Sequence, residues 1–113
     1  FANVPFFEEA ILEAVANSPK AEYLLVVGAG INQLDASGEE VIRNLVERLR
    51  ESGVTMMFSG LKKQVLDILQ RTGLYATIGA QNLFRTEDMA LEAIYERISD
   101  ASFDARYCPL RYT

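Results

Sequence analysis

Residues 34–38 (Leu-Asp-Ala-Ser-Gly) hold the side chains best placed for chemistry in this sequence. They follow an apolar run and open an amphipathic helix, and in open α/β sheets binding sites collect where strands end. One interpretation is structural: Ser37 caps the helix as the first residue of a capping box, and Asp35 favours the positive helix end. The other is functional, with Ser37 as a phosphorylation site. The interaction loop of this second interpretation consists of Asn32, Asp35, Ser37 and Gly38.

A phosphate on Ser37 would meet backbone N–H groups and the positive end of the helix. It would also lie beside the carboxylates of Asp35, Glu39 and Glu40, which repel it. Phosphorylation adds about −1.5 to −2 charges, so its main expected effect is to change which partners can dock on this surface.

Two further motifs could bind anions. Residues 28–30 (Gly-Ala-Gly) follow a strand, but a dinucleotide fingerprint needs a third glycine where this chain has Gln33, so a Rossmann site is not predicted. Lys62 and Lys63 begin a predicted helix, where positive charge is mildly unfavourable. They are either two solvated lysines or a weak contact for an anionic headgroup, nucleotide phosphates or an acidic partner.

The composition removes several classes of function. The chain has no histidine, the commonest general base and metal ligand, and one cysteine, Cys108. We therefore expect no catalytic residue, metal site or cofactor, and a reducing compartment. The net charge of −5 disfavours binding to nucleic acid, which depends on Lys and Arg. No apolar run approaches the roughly 20 residues of a membrane helix.

Hydrophobic periodicity predicts alternating helices and strands. Asn3 is a plausible cap for the first helix, and Thr86 for the last. This alternation predicts an α/β fold with a small, mostly parallel or mixed sheet flanked by about four helices. We assign residues 1–98 to one domain and residues 99–113 to a C-terminal tail. Helices are predicted over residues 5–17, 37–52, 62–72 and 86–98, and strands over residues 23–27, 54–58 and 82–85.

The ordered motifs resemble the STAS domains of sulfate permease-type anion transporters and bacterial anti-sigma factor antagonists. The resemblance covers about residues 1–98 and implies one or two strands before Phe1. The opening Phe-Ala-Asn resembles the transporter branch, since the antagonist branch usually reads Gly-x-Leu-Asp there. The motifs that carry the resemblance are residues 1–3 (Phe-Ala-Asn), 24–27 (Leu-Leu-Val-Val), 34–38, 53–54 (Gly-Val) and 65–74 (Val-Leu-Asp-Ile-Leu-Gln-Arg-Thr-Gly-Leu).

The resemblance implies a non-catalytic regulatory or interaction domain at the cytoplasmic face of the plasma membrane. Its expected partners are the transmembrane domain of the same transporter and a cytosolic regulatory protein, with weak nucleotide binding and no nucleic acid. Ser37 matches the position that is phosphorylated in antagonists. The alternative is therefore a soluble anti-sigma factor antagonist that is switched by phosphorylation of Ser37.

Overall fold

The computed structural model describes residues 4–98 and 106–111, with side chains over residues 7–98 and 106–110. The predicted α/β class is confirmed, with five α-helices rather than about four in this part of the chain. The predicted cap Asn3 lies outside the described residues. The elements in chain order are α1 (Val4–Ala16), β1 (Tyr23–Val27), α2 (Ala36–Glu51), β2 (Thr55–Ser59), α3 (Lys63–Thr72), α4 (Leu74–Ile78), a short 3-10 helix (Ala80–Asn82), β3 (Leu83–Phe84), α5 (Glu87–Arg97) and β4 (Tyr107–Arg111).

The described strands form one parallel sheet in the order β3-β2-β1-β4. At its centre Val26 of β1 lies opposite Phe58 of β2. Strands with both faces covered have few positions that must be polar, which explains the nearly continuous apolar runs of β1 and β2. Of the two predicted arrangements, mostly parallel or mixed, the described strands show the parallel one.

The alternation of side chains along β1 and β2 divides the core into two layers. On one face, Leu24, Val26, Met56 and Phe58 pack against side chains of α1, α2, α3 and α4. On the other face, Leu25, Val27 and Met57 pack against Ala90 and Ile94 of α5 and against Ile98.

The start of α2 corrects the predicted capping box. The N-cap is Asp35 and not Ser37: the Asp35 carboxylate accepts a hydrogen bond from Gly38 N–H at 2.8 Å. The Asp35 carbonyl accepts the first helical bond, from Glu39 N–H at 2.9 Å. Ser37 therefore lies inside the first turn, because Asp35 already holds the extended backbone of a cap.

The C-terminal segment, which was predicted to be a tail, contains a strand. Residues 107–111 form β4, which pairs with β1 and places Cys108 opposite Leu24. The Arg106 guanidinium lies 2.6 Å from the Glu22 carboxylate, and Glu22 N–H donates to the Arg106 carbonyl. Pro109 has no N–H to contribute to a ladder, which an outer strand tolerates.

A second unpredicted element, α4, follows α3 without a linker. α3 ends at Thr72, the last residue of the predicted helix. Gly73 follows with a left-handed φ of 81°, and Leu74 begins α4 at once. Leu74 and Ile78 are fully buried, and the Arg50 guanidinium donates to the Thr77 carbonyl at 2.7 Å. Burial of two large side chains, at about 1.5–3 kcal/mol each, stabilises a helix too short to form alone.

Candidate functional site

Three loops meet where the parallel strands β1, β2 and β3 end. They comprise residues 28–35, 60–62 and 85–86. Gly28 N–H donates to the Ser59 carbonyl at 2.8 Å, and Gly60 N–H donates to the Phe84 carbonyl at 3.1 Å. Each of the first two loops thus begins with a backbone bond to the neighbouring strand. The arrangement places all three loops on one edge, which is where ligands bind in open α/β sheets.

Apolar anchors hold the loop between β1 and α2. Ile31 and Leu34 are buried, at 1% and 6% exposure, whereas Asn32 and Gln33 between them are exposed. Ile31 N–H also donates to the Gly28 carbonyl at 3.0 Å, which closes a tight turn. Because its apolar residues point inward, the loop presents its polar side chains in a defined place.

The predicted loop residues divide by exposure. Asn32, Asp35 and Ser37 are exposed, while Gly38 is buried. Asp35 is occupied by its cap bond, but the Ser37 hydroxyl makes no hydrogen bond with the described residues. Ser37 is thus accessible at the first turn of α2 and is not required for capping.

The structure separates the two predicted lysines. Lys62 precedes α3 and donates from its ammonium to the Asn32 side-chain carbonyl, which joins the second loop to the first. Lys63 is exposed and lines a groove together with Arg85. Lys62 thus contacts the first loop and Lys63 lines the groove, and the anion contact expected for this pair remains a prediction.

Arg43 of α2 joins three elements. Its guanidinium pairs with Glu39 one turn earlier and donates to the Thr72 carbonyl and the Thr77 hydroxyl, at 3.0 and 3.1 Å. The i,i+4 spacing of Glu39 and Arg43 is readable in sequence. The contacts with the two threonines could not be found that way, because Thr72 and Thr77 lie far from Arg43 in sequence.

The groove beside Lys63 was also missed. It has a volume of about 410 Å³ and lies between α3, α4 and β3. Its walls come from residues 61–85, which are distant in sequence and share no local pattern. The lining residues are Leu61, Lys63, Leu66, Gln70, Tyr75, Leu83, Phe84 and Arg85.

The chemistry available at this edge is charge and hydrogen bonding. Over residues 4–98 and 106–111, no three or more His, Cys, Asp or Glu side chains are grouped so as to hold a metal ion. No helix in the same residues combines the length and apolarity needed to cross a membrane. The site offers an amide, a carboxylate, a hydroxyl and an ammonium group on anchored loops, which suits recognition of a partner.

Comparison with known proteins gives one family. The model of the STAS domain family matches residues 1–90. A Bacillus subtilis (strain 168) protein named “Putative sulfate transporter YvdB” is 32% identical over 88 residues, which are 78% of this chain and 16% of that protein. An Arabidopsis thaliana protein named “Probable sulfate transporter 3.5” is 27% identical over 94 residues, 82% of this chain and 15% of that protein. The chain thus spans about one sixth of these relatives.

Proposed function

This chain belongs to the STAS domain family, and from that premise we propose that it is the regulatory and interaction domain of a sulfate permease-type anion transporter. Two relatives with sulfate transporter names support the transporter branch over the antagonist branch. Its role is non-catalytic, and it acts at the cytoplasmic face of the membrane.

The observation that carries this proposal is the anchored and exposed edge formed by Asn32, Asp35, Ser37 and Lys62. Binding residues are commonly found on loops that a rigid scaffold positions. Here the scaffold is the buried pair Ile31 and Leu34, together with the contact between Lys62 and Asn32. The partners proposed for this edge are the transmembrane domain of the same transporter and a cytosolic regulatory protein.

Ser37 is the proposed regulatory position within this edge. Its hydroxyl is exposed and is not needed for the cap, so a kinase could modify it without removing the Asp35 hydrogen bond. A phosphate there would add about −1.5 to −2 charges beside Asp35 and Glu40. The local surface would become strongly negative and would repel an acidic partner.

Transport assays test this proposal in the transporter that contains the domain. The initial rate of sulfate uptake into membrane vesicles would be compared for the native protein, Ser37→Glu and Asn44→Glu. Asn44 is exposed on α2 at a position outside the proposed edge. Because Ser37 and Asn44 are both neutral, the two variants make the same change of charge. We expect Ser37→Glu to change the uptake rate roughly fivefold, a typical allosteric coupling, with little effect of Asn44→Glu.

Equal uptake rates for all three proteins, at equal abundance in the membrane, would overturn the proposed edge. Phosphate found on Ser37 by mass spectrometry, in a protein that binds an anti-sigma kinase, would instead support the soluble antagonist.

A further inference from the structure

The groove between α3, α4 and β3 has features of a second binding surface that the proposed edge does not use. Its apolar walls are Leu61, Leu66, Leu83 and Phe84, and Tyr75 adds an aromatic ring with a polar tip. A volume of about 410 Å³ is enough for one or two large side chains. The groove can therefore take an apolar group from outside the domain.

Two cations accompany these apolar walls. Lys63 and Arg85 are exposed, and neither makes a hydrogen bond or ion pair with any residue that the structure describes. No carboxylate is among the lining residues, although the chain as a whole has a net charge of −5. The groove is thus positively charged within an acidic protein, and its charge is complementary to an acidic ligand.

The backbone beside the groove also belongs to a strand, β3, that is paired on one side within the described residues. β3 pairs with β2 on one side, and no described strand lies on its other side. The N–H of Arg85, directly after β3, makes no hydrogen bond within the described residues. An extended segment along this edge could supply a carbonyl acceptor, as in recognition by strand addition.

From these three features together we propose that the groove binds an extended peptide segment of a partner protein, with carboxylates flanking a large apolar side chain. The apolar side chain enters between Leu66 and Phe84, and the carboxylates pair with Lys63 and Arg85. A peptide satisfies the apolar walls, the cations and the free N–H together. This surface is distinct from the edge at residues 32–37, so its test does not depend on the proposed function.

Fluorescence anisotropy with a defined probe tests the groove, using the full chain. The probe is a fluorescein-labelled peptide, Gly-Asp-Phe-Asp-Leu-Asp, and two control peptides replace either every Asp by Asn or both apolar residues by Ala. We expect saturable binding of the probe and at least about tenfold weaker binding of each control, because charge and apolar contacts are both needed.

Two double variants separate the groove from net charge. Lys63→Glu with Arg85→Glu reverses the groove cations, while Lys20→Glu with Arg48→Glu makes the same change of net charge at exposed positions elsewhere. We expect at least about tenfold weaker binding for the first variant alone. The milder Lys63→Gln with Arg85→Gln serves if charge reversal disturbs folding, as judged by circular dichroism.

Equal losses in both double variants would overturn the proposal, as would the absence of saturable probe binding. Sedimentation of the native chain provides a further test. A stable dimer that dissociates on reversal of the groove cations would show that a second copy occupies the groove, which also contradicts the proposal.

Discussion

The helices α2 and α3 both begin at the carboxyl end of a central parallel strand, but their first turns are built differently. Asp35 caps α2 with a 2.8 Å hydrogen bond to Gly38 N–H. Lys62 occupies the corresponding position of α3 and makes no cap bond, although its backbone has the extended conformation of a cap. Lys62 instead reaches across to Asn32.

This difference teaches that the two starts contribute to the domain in different ways. A capping aspartate stabilises a helix by about 1 kcal/mol, whereas a cation in the first turn costs about 0.3–1 kcal/mol. The first turn of α2 therefore stabilises its helix, whereas the positive charge in the first turn of α3 destabilises its helix. In return, Lys62 connects the two loops, and Lys63 supplies positive charge to the groove.

The largest expected change in the free energy of unfolding comes from the packing between Gly28 in the first loop and Leu61 in the second. A methyl group on Gly28 would lie 2.7 Å from Leu61 Cδ2 and 3.3 Å from Ile31 Cδ1. We expect Gly28→Val to lower the free energy of unfolding by about 2 kcal/mol through overpacking, measured by urea denaturation. Ala29→Val, at the exposed neighbouring position, should change it by less than about 0.5 kcal/mol.

Combining Gly28→Val with Leu61→Ala should recover part of the lost stability, because the smaller side chain vacates the contact. If Gly28→Val were as stable as the native chain, the expected overpacking against the Leu61 side chain would be refuted.

A smaller effect is expected at the cap of α2. Asp35→Ala should lower the free energy of unfolding by about 1 kcal/mol, because Gly38 N–H loses its acceptor. Ser37→Ala is the matched control and should cost less than about 0.5 kcal/mol, since its hydroxyl makes no hydrogen bond within the described residues. Urea denaturation of both variants decides which residue caps α2. A larger loss for Ser37→Ala would restore the capping box expected from the sequence.

The smallest expected change is an increase in the free energy of unfolding, caused by a substitution at the start of α3. Lys62→Asp introduces a capping carboxylate and removes a cation from the positive helix end. We expect the free energy of unfolding to rise by about 0.5 kcal/mol, since loss of the contact with Asn32 offsets part of the benefit. Thermal unfolding of Lys62→Asp and of Asn32→Ala would separate the two terms. A Lys62→Asp protein less stable than Asn32→Ala would mean that Lys62 contributes more than this contact.

The central elements of the fold were predictable because local pattern and tertiary role agree there. β1 is observed over the residues predicted, Tyr23–Val27, because an unbroken apolar run suits a strand with both faces covered. The stripe of α2 was readable for a similar reason: Ile42, Leu45 and Leu49 repeat at helical spacing and are all buried. The start of α2 was displaced because two potential caps, Asp35 and Ser37, stand two residues apart.

The unpredicted elements depend on distant partners. β4 contains Pro109 and shows little strand pattern of its own, and it lies in the sheet because it pairs with β1 from the far end of the chain. α4 is five residues long, too short for periodicity to identify, and is held by Arg43, Arg50 and its own buried side chains. The predictions for the interaction loop and for Ser37 phosphorylation remain predictions.

The amino-acid sequence by itself determined the α/β class, the central strands and the loop that carries Asp35 and Ser37. Those features follow from periodicity and turn chemistry, which act between residues close in the chain. Local chemistry allowed either Asp35 or Ser37 to cap α2, and the structure shows that Asp35 does. Only the tertiary structure decided that Lys62 meets Asn32 and that Lys63 and Arg85 share a groove. Such choices depend on which side chains the packed sheet brings together, and no local pattern specifies the distance between residues that are far apart in sequence.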